Sequence, residues 1–479
     1  MQFKFFNTKN KMQKGILLFL GLLFSANILA QIDTNIVEQQ TDTSAVEKKS
    51  KKDIVKKGIS FGPLPVVAFD ADKGFQYGAL LNLFDYGDGS HYPHPKQQWY
   101  IEASAYTKGT FQGFLTYDTR HLIPKVRMSL ASTVMYDKAM DFYGYNGYQS
   151  NYQHDSVSYW NKQKDKTGMP AEYMSAFYRL ERLAVTAKAD FVGDIWNKKL
   201  FWQASYYFSW YRYRNIDLDK INKGKDSVSM FSGQTLYEKY IDWGIIPEKE
   251  KNGGFTSALR LGLMYDTRDF EAAPARGIWA EANITLAPQF FGTTHSYYRY
   301  MAIFRHYVPI VKNHLTFAYR LNYQGSIGTL PYYIMPVFST IGREYDRDGI
   351  GGYRTARGLM RDRVQGLDVG FFNAEFRWKF VRFHLWKQNI YLGLNAFLDG
   401  AIVTRKYDMS YRGDENNPIM KQEYEKYINP NISDGFHLAA GGGFRIAINQ
   451  NFIIAIDYAM PLNKQDGKGS LYINTGYLF

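Results

Sequence analysis

In the C-terminal stretch 470–479, Leu471, Ile473, Thr475, Tyr477 and Phe479 alternate with Tyr472, Asn474 and Gly476. Apolar residues take one face and small or polar residues the other, the period of a half-buried β-strand. Similar stretches, separated by turn residues, recur from Ile59 onward. The pattern predicts sixteen strands, near 59–69, 74–84, 98–107, 111–119, 125–136, 175–191, 200–213, 255–266, 277–288, 297–309, 313–327, 366–381, 388–400, 434–448, 452–460 and 469–479. Most run to about ten residues or more, the length of a strand tilted through a bilayer.

The connections sort by parity. Those after the fifth, seventh, eleventh and thirteenth strands are long (137–174, 214–254, 328–365 and 401–433). Those after even-numbered strands are short, except the one containing GDGSHYPHPKQQ. A soluble β-protein has no reason to sort its loops this way. Short periplasmic turns and long external loops are the habit of a transmembrane antiparallel β-barrel with an even strand number. The expected fold is therefore all-β.

Composition sharpens this picture. Aromatics are 17% of the chain and hydrophobic residues 45%, yet mean hydropathy is −0.38. That excludes a polytopic helical membrane protein, which needs repeated apolar runs of roughly 20 residues. A barrel explains both values: one face of each strand lines a polar interior, and Tyr and Trp form girdles at the bilayer interfaces. FWQASYYFSWYRYR (201–214) is expected to run into the external girdle.

The N-terminus sets the compartment. Lys4, Lys9, Lys11 and Lys14 precede the apolar run GILLFLGLLFSA, with cleavage expected after Ala30. Residues 1–30 are expected to be a secretory signal peptide, the alternative being a single membrane anchor. Residues 31–58 are polar and form a flexible tail, leaving 59–479 as the barrel. Removing 1–30 removes four Lys and no acid, which lowers the formal charge from +13 to +9. Export argues against an intracellular nucleic-acid partner, and no nucleic-acid-binding motif is present.

No chemistry-bearing constellation emerges. The chain has no Cys, which removes thiol nucleophiles and disulfides. It has no G-x-S-x-G and no H-E-x-x-H, the signatures of a nucleophile elbow and a zinc protease. His91 and His94 in HYPHP read as a solvated loop rather than a metal site. No catalytic residue, metal or cofactor is expected.

Four segments together resemble the bacterial surface antigen family, which includes BamA-like assembly barrels and two-partner-secretion transporters. LMYDTRDFEAAPARGIWAEA (263–282) is similar to the family's Tyr-Asp-Thr-Arg-Asp turn, here Tyr265, Asp266, Arg268 and Asp269, with a later Arg-Gly at Gly277. GGYRTARGLMRDRVQGLDVGFFNAEFRWKF (351–380) resembles its Arg-Gly-aromatic loop tip and Asn-x-Glu-x-Arg strand, with Leu359 in the aromatic's place. NAFLDGA (395–401) approaches Phe-x-Asp-x-Gly, with Ala401 replacing the final Gly, and DFYGYNG (141–147) approaches Phe-Tyr-Gly-x-Gly.

The resemblance implies that the long external loop folds into the lumen, with Arg357 and Gly358 at its tip and Arg357 paired to Asp399. The residue-level alternative is a solvated basic loop. Asp266, Arg268 and Asp269 either order a periplasmic turn or are solvated turn charges. Ile473, Tyr477 and Phe479 resemble the C-terminal insertion signal of outer-membrane barrels.

The implied function is assembly or translocation of outer-membrane proteins or lipids, using the seam between first and last strands. Outer-membrane lipid and client polypeptides or lipids are the expected partners. Family members usually carry periplasmic POTRA domains. Only the 28 residues of 31–58 stand before the barrel here, so a periplasmic or lipoprotein partner is expected to supply recognition. Pro63 and Pro65 in the first strand each remove a ladder donor, which favours a seam that opens. The alternatives are an anion-favouring pore and a structural or receptor barrel in an envelope complex.

Overall fold

The computed structural model describes residues 57–90, 95–163, 168–227, 230–271, 273–341, 347–385, 388–448 and 452–479. The expected signal peptide (1–30), nearly all of the expected tail, and His91 and His94 lie outside the described residues. The wall consists of β1 (Ile59–Asp70), β2 (Gly74–Asp85), β3 (Gln97–Tyr106), β4 (Thr110–Ile123), β5 (Val126–Asp141), β6 (Arg179–Trp196), β7 (Leu200–Arg214) and β8 (Gly253–Asp266). It continues through β9 (Gly277–Ala287), β10 (Tyr297–Val311), β11 (Leu315–Gly328), β12 (Asp368–Leu385), β13 (Gln388–Arg405), β14 (His437–Ile448), β15 (Phe452–Pro461) and β16 (Ser470–Thr475). Each strand pairs antiparallel with its chain neighbours, and β16 closes on β1 to form a sixteen-stranded barrel.

β7 shows why this sequence makes a wall. Gln203, Ser205, Tyr207, Ser209, Tyr211 and Tyr213 are buried, while Trp202, Tyr206 and Trp210 between them are 36%, 50% and 39% exposed. The exposed face is the one a bilayer covers, and the buried face turns inward.

Several strand ends differ from the pattern. β6 begins at Arg179 because Ser175–Tyr178 winds into a 3-10 turn. β5 and β13 continue past the expected ends, to Asp141 and Arg405. The largest departure is at the C-terminus: the β16 ladder stops at Thr475, not Phe479. Gly476 has φ +82°, and the chain turns there, so Leu478 and Phe479 pack in a buried cluster with Tyr307 and Ala318. Tyr477 and Phe479 therefore do not share the outer face of Leu471 and Thr475. The Arg377 guanidinium lies 4.3 Å from the Tyr477 ring and 4.7 Å from the Phe479 ring, cation–π contacts that favour the turned-in course.

The aromatics also have a role beyond girdles. The long odd-to-even connections carry short helices, including Leu236–Asp242, opened by a Thr235–Glu238 capping box, and Pro418–Tyr427. These pack a buried cluster containing Tyr145, Tyr237, Tyr240, Trp243, Tyr424 and Tyr427. Phe142 meets Tyr240 edge-to-face at 5.2 Å, the geometry that aromatic quadrupoles prefer.

Candidate functional site

The described residues of the connection between β11 and β12 (329–341 and 347–367) include several bonded to the buried face of the wall. Arg299 on β10 donates to the carbonyls of Ile334 and Val337 at 2.9 and 2.7 Å. Asn373 on β12 donates to the Thr355 carbonyl at 2.8 Å. Thr355 Oγ1 closes the turn ahead of the tip by bonding the N–H and the carbonyl of Gly351, each at 3.0 Å.

At the tip, Arg357 is fully buried. Its Nε and backbone N–H donate to Asp399 Oδ2 at 2.8 and 2.9 Å, and Nη2 donates to Asp399 Oδ1 at 3.1 Å. This is the fork-to-fork geometry that a guanidinium and a carboxylate favour. Nη2 also lies 2.6 Å from Glu375 on β12, and Nη1 lies 3.4 Å from Asp457 on β15. The guanidinium stacks 3.5 Å over the Phe397 ring. Two wall arginines share these acids: Arg377 donates to Glu375 at 2.8 Å, and Arg445 reaches both oxygens of Asp457 at 2.8 and 2.9 Å. Three buried cations thus interlock with three buried carboxylates, so no charge in the cluster is stranded.

The family resemblance implied Asp399 but not the contributions of Glu375 and Asp457. Glu375 lies in the NAEFR strand, and Asp457 is the one acid in FIIAIDYAM (452–460). An isolated acid at an inward position of an apolar strand was the signal available.

Gly358 has φ +88°, and a Cβ there would lie 3.0 Å from the Cβ atoms of both Ala439 and Ala459. The tip approaches the wall too closely for a side chain. Beyond it, Arg363 donates to the carbonyls of Gln465, Gly147 and Ser150 at 3.0, 3.0 and 3.2 Å, tying the connection to two other external loops. His437 places Nδ1 2.7 Å from Asp466 and Nε2 3.0 Å from Asp434, beneath the stacked ring of Tyr148 at 3.9 Å. Both ring nitrogens face carboxylates, an arrangement that imidazolium satisfies with two donors.

The turn motif between β8 and β9 forms a separate cluster. Arg268 Nε and Nη2 bind both oxygens of Asp266 at 3.0 and 2.8 Å. Asp269 Oδ1 accepts from the backbone N–H groups of Ala275 and Arg276 at 3.0 and 3.3 Å. Gly277 has φ +104°, and Tyr265 pairs with Ala280 across β8 and β9. Ile473 pairs with Phe69 on one side and Ile456 on the other.

The model of the Omp85 superfamily domain matches residues 143–479. No curated protein matches the chain. Among solved structures, the chain is similar to BamA from Haemophilus ducreyi lacking POTRA domains 1-3, at 14% identity and TM-score 0.50. That match covers 88% of this chain and 71% of the other. It is also similar to CdiB from Escherichia coli, at 10% identity and TM-score 0.49, over 89% of this chain and 64% of that one, which is under two thirds of its length. At these identities the likeness shows the fold alone. A barrel of this family indicates the outer membrane of a Gram-negative cell. With that match spanning most of the described wall, the chain belongs to the Omp85 superfamily.

Proposed function

We propose that the chain serves assembly or translocation of outer-membrane proteins or lipids, by opening the seam between β1 and β16. One observation carries this reading. β1 pairs with β2 along its full length, from Ile59–Asp85 to Asp70–Gly74, but meets β16 only at Phe69–Ile473 and Asp70–Tyr472. Two residue pairs hold few ladder bonds, each contributing about 0.5–1.5 kcal/mol. Among the described residues no further ladder pair joins β1, which carries Pro63 and Pro65, to β16. A sheet edge with so few ladder pairs is a template on which another strand adds.

In this reading Arg357 and Asp399 lock the 329–367 connection inside the lumen, and Gly358 lets it reach the wall. Tyr265, Asp266, Arg268, Asp269 and Gly277 order the periplasmic turn. Ile473, Tyr477 and Phe479 serve as the insertion signal before the tail turns in. Client polypeptides or lipids pass at the seam, and a periplasmic or lipoprotein partner supplies recognition. The pore alternative has less support, because Arg357 and Arg363 are bound to carboxylates and carbonyls rather than free to attract anions.

The test uses the absence of native Cys. Phe69→Cys with Ile473→Cys, facing each other across the seam, should close it by a disulfide. In cells depleted of the native chain, the oxidised pair should lose other outer-membrane proteins or lipid asymmetry, and a reductant should restore them. Full complementation by the cross-linked barrel would reject the reading.

A further inference from the structure

The membrane-facing side of the wall carries a groove that neither the seam ladder nor the Arg357 network uses. It has a volume of about 970 Å³ and runs from the turn at His314 across β12 to β16. Its floor is Ala396 on β13 and Gly442 on β14, which are paired neighbours. Trp378, Phe444, Tyr458 and Leu471 form its banks.

The glycine in the floor is not required by the backbone. Gly442 has no positive φ, and a Cβ there would meet only the Asn395 carbonyl oxygen, at 3.3 Å. A Cβ would press on that one backbone oxygen and meet nothing else within 4 Å, so the missing side chain leaves a hollow. Inside a bilayer there is no hydrophobic drive toward such a hollow, and what favours an occupant is close packing on several sides. A concave slot between aromatic banks supplies that for a flexible hydrocarbon chain.

The foot of the groove supplies the second element. Lys312 and His314 are exposed on the short turn after β10. Exposed Arg382 donates to the Asn313 carbonyl, which holds its guanidinium at the same turn. An apolar slot ending at exposed Lys312 and at Arg382, held on the same turn, matches an amphiphile with an anionic head.

We propose that the groove seats one acyl chain of an anionic glycerophospholipid of the periplasmic leaflet, with its phosphate between Lys312 and Arg382. The seat is independent of the role proposed above. It distinguishes one retained lipid from the exchanging lipid around the barrel.

The full chain, purified in mild detergent and offered phosphatidylglycerol and phosphatidylcholine together, is examined by native mass spectrometry. Wild type should retain one phosphatidylglycerol per chain in preference to phosphatidylcholine. Ala396→Leu with Gly442→Leu, filling the floor, should lower retention about tenfold. Lys312→Ala with Arg382→Ala should abolish the preference for phosphatidylglycerol. Ala302→Leu, at a membrane-facing position on β10 outside the groove, should change neither. If the filled variant does not fold, folded Gly442→Cys alkylated with a bulky reagent replaces it, since the chain has no other Cys. Equal retention in the filled or alkylated protein, or no headgroup preference in wild type, would overturn the proposal. So would disulfide capture of a second copy through Gly442→Cys in membranes, which would make the groove a protein interface.

Discussion

The backbone N–H of Gly358 donates to the Tyr472 hydroxyl at 3.2 Å. The tip of the β11–β12 connection is thereby bonded to the last strand, two residues after Ser470 begins it and opposite Asp70 of β1. Whatever moves the tip acts on the strand that closes the barrel.

Gly358→Ala should therefore destabilise the folded barrel. It forces a side chain onto a positive φ and against Ala439 and Ala459, at a cost of about 1–3 kcal/mol. The midpoint of heat-modifiability on gels should fall. An unchanged midpoint would show that the tip does not press on the wall.

Arg357→Ala strands Asp399, while Glu375 keeps Arg377. The loss reaches about 3–5 kcal/mol where the pocket is dry, and less where water enters. Arg357→Lys keeps the charge but not the fork, so it should fall between wild type and Ala. Limited proteolysis of the external loops ranks the three proteins, and identical digestion patterns would count against a locked connection.

Asp72, in the β1–β2 turn, provides a pH dependence. Its Oδ2 is buried with no hydrogen-bond partner among the described residues. Burial first, then the charges of Asp70 and Asp141, hold its carboxyl well above the ordinary range against the opposing Arg361 and Lys108. The folded chain then binds this proton more tightly than the unfolded chain. Its contribution to stability is present at low pH and is lost as pH rises through the raised value. Asp72→Asn, which mimics the protonated form, should be more stable than wild type at neutral pH, with the gap closing on acidification. Melting both proteins across pH checks the sign, and a gap that widens in acid would refute it.

The periplasmic turn separates charge from backbone. Arg268→Ala should cost about 1 kcal/mol, the upper end for a surface pair, because its side chain is only 10% exposed beside Asp266. Gly277→Ala should cost about 1–3 kcal/mol, since its Cβ would lie 2.3 Å from the Thr267 carbonyl oxygen. Refolding yields into detergent micelles should follow that order.

The wall was legible in the residues because a barrel strand needs only its own two faces. Period two, short even-to-odd turns and long odd-to-even connections together specify sixteen antiparallel strands without knowledge of any contact. At Arg357 the family resemblance pointed to Asp399, but Glu375 and Asp457 join it from β12 and β15 only once the wall is curved and closed. Local sequence also could not show that the final alternation breaks. Tyr477 and Phe479 follow the outward period, yet Gly476 turns the chain and Arg377 engages both rings.

Strand number and pairing follow from the sequence by itself, because they depend on alternation and loop length along the chain, and the family follows from the order of its motifs. The two-pair seam, the three-acid seat of Arg357 and the membrane-facing hollow at Gly442 were decided by the tertiary structure. Each depends on distances between strands far apart in sequence, which curvature, register and close packing set together.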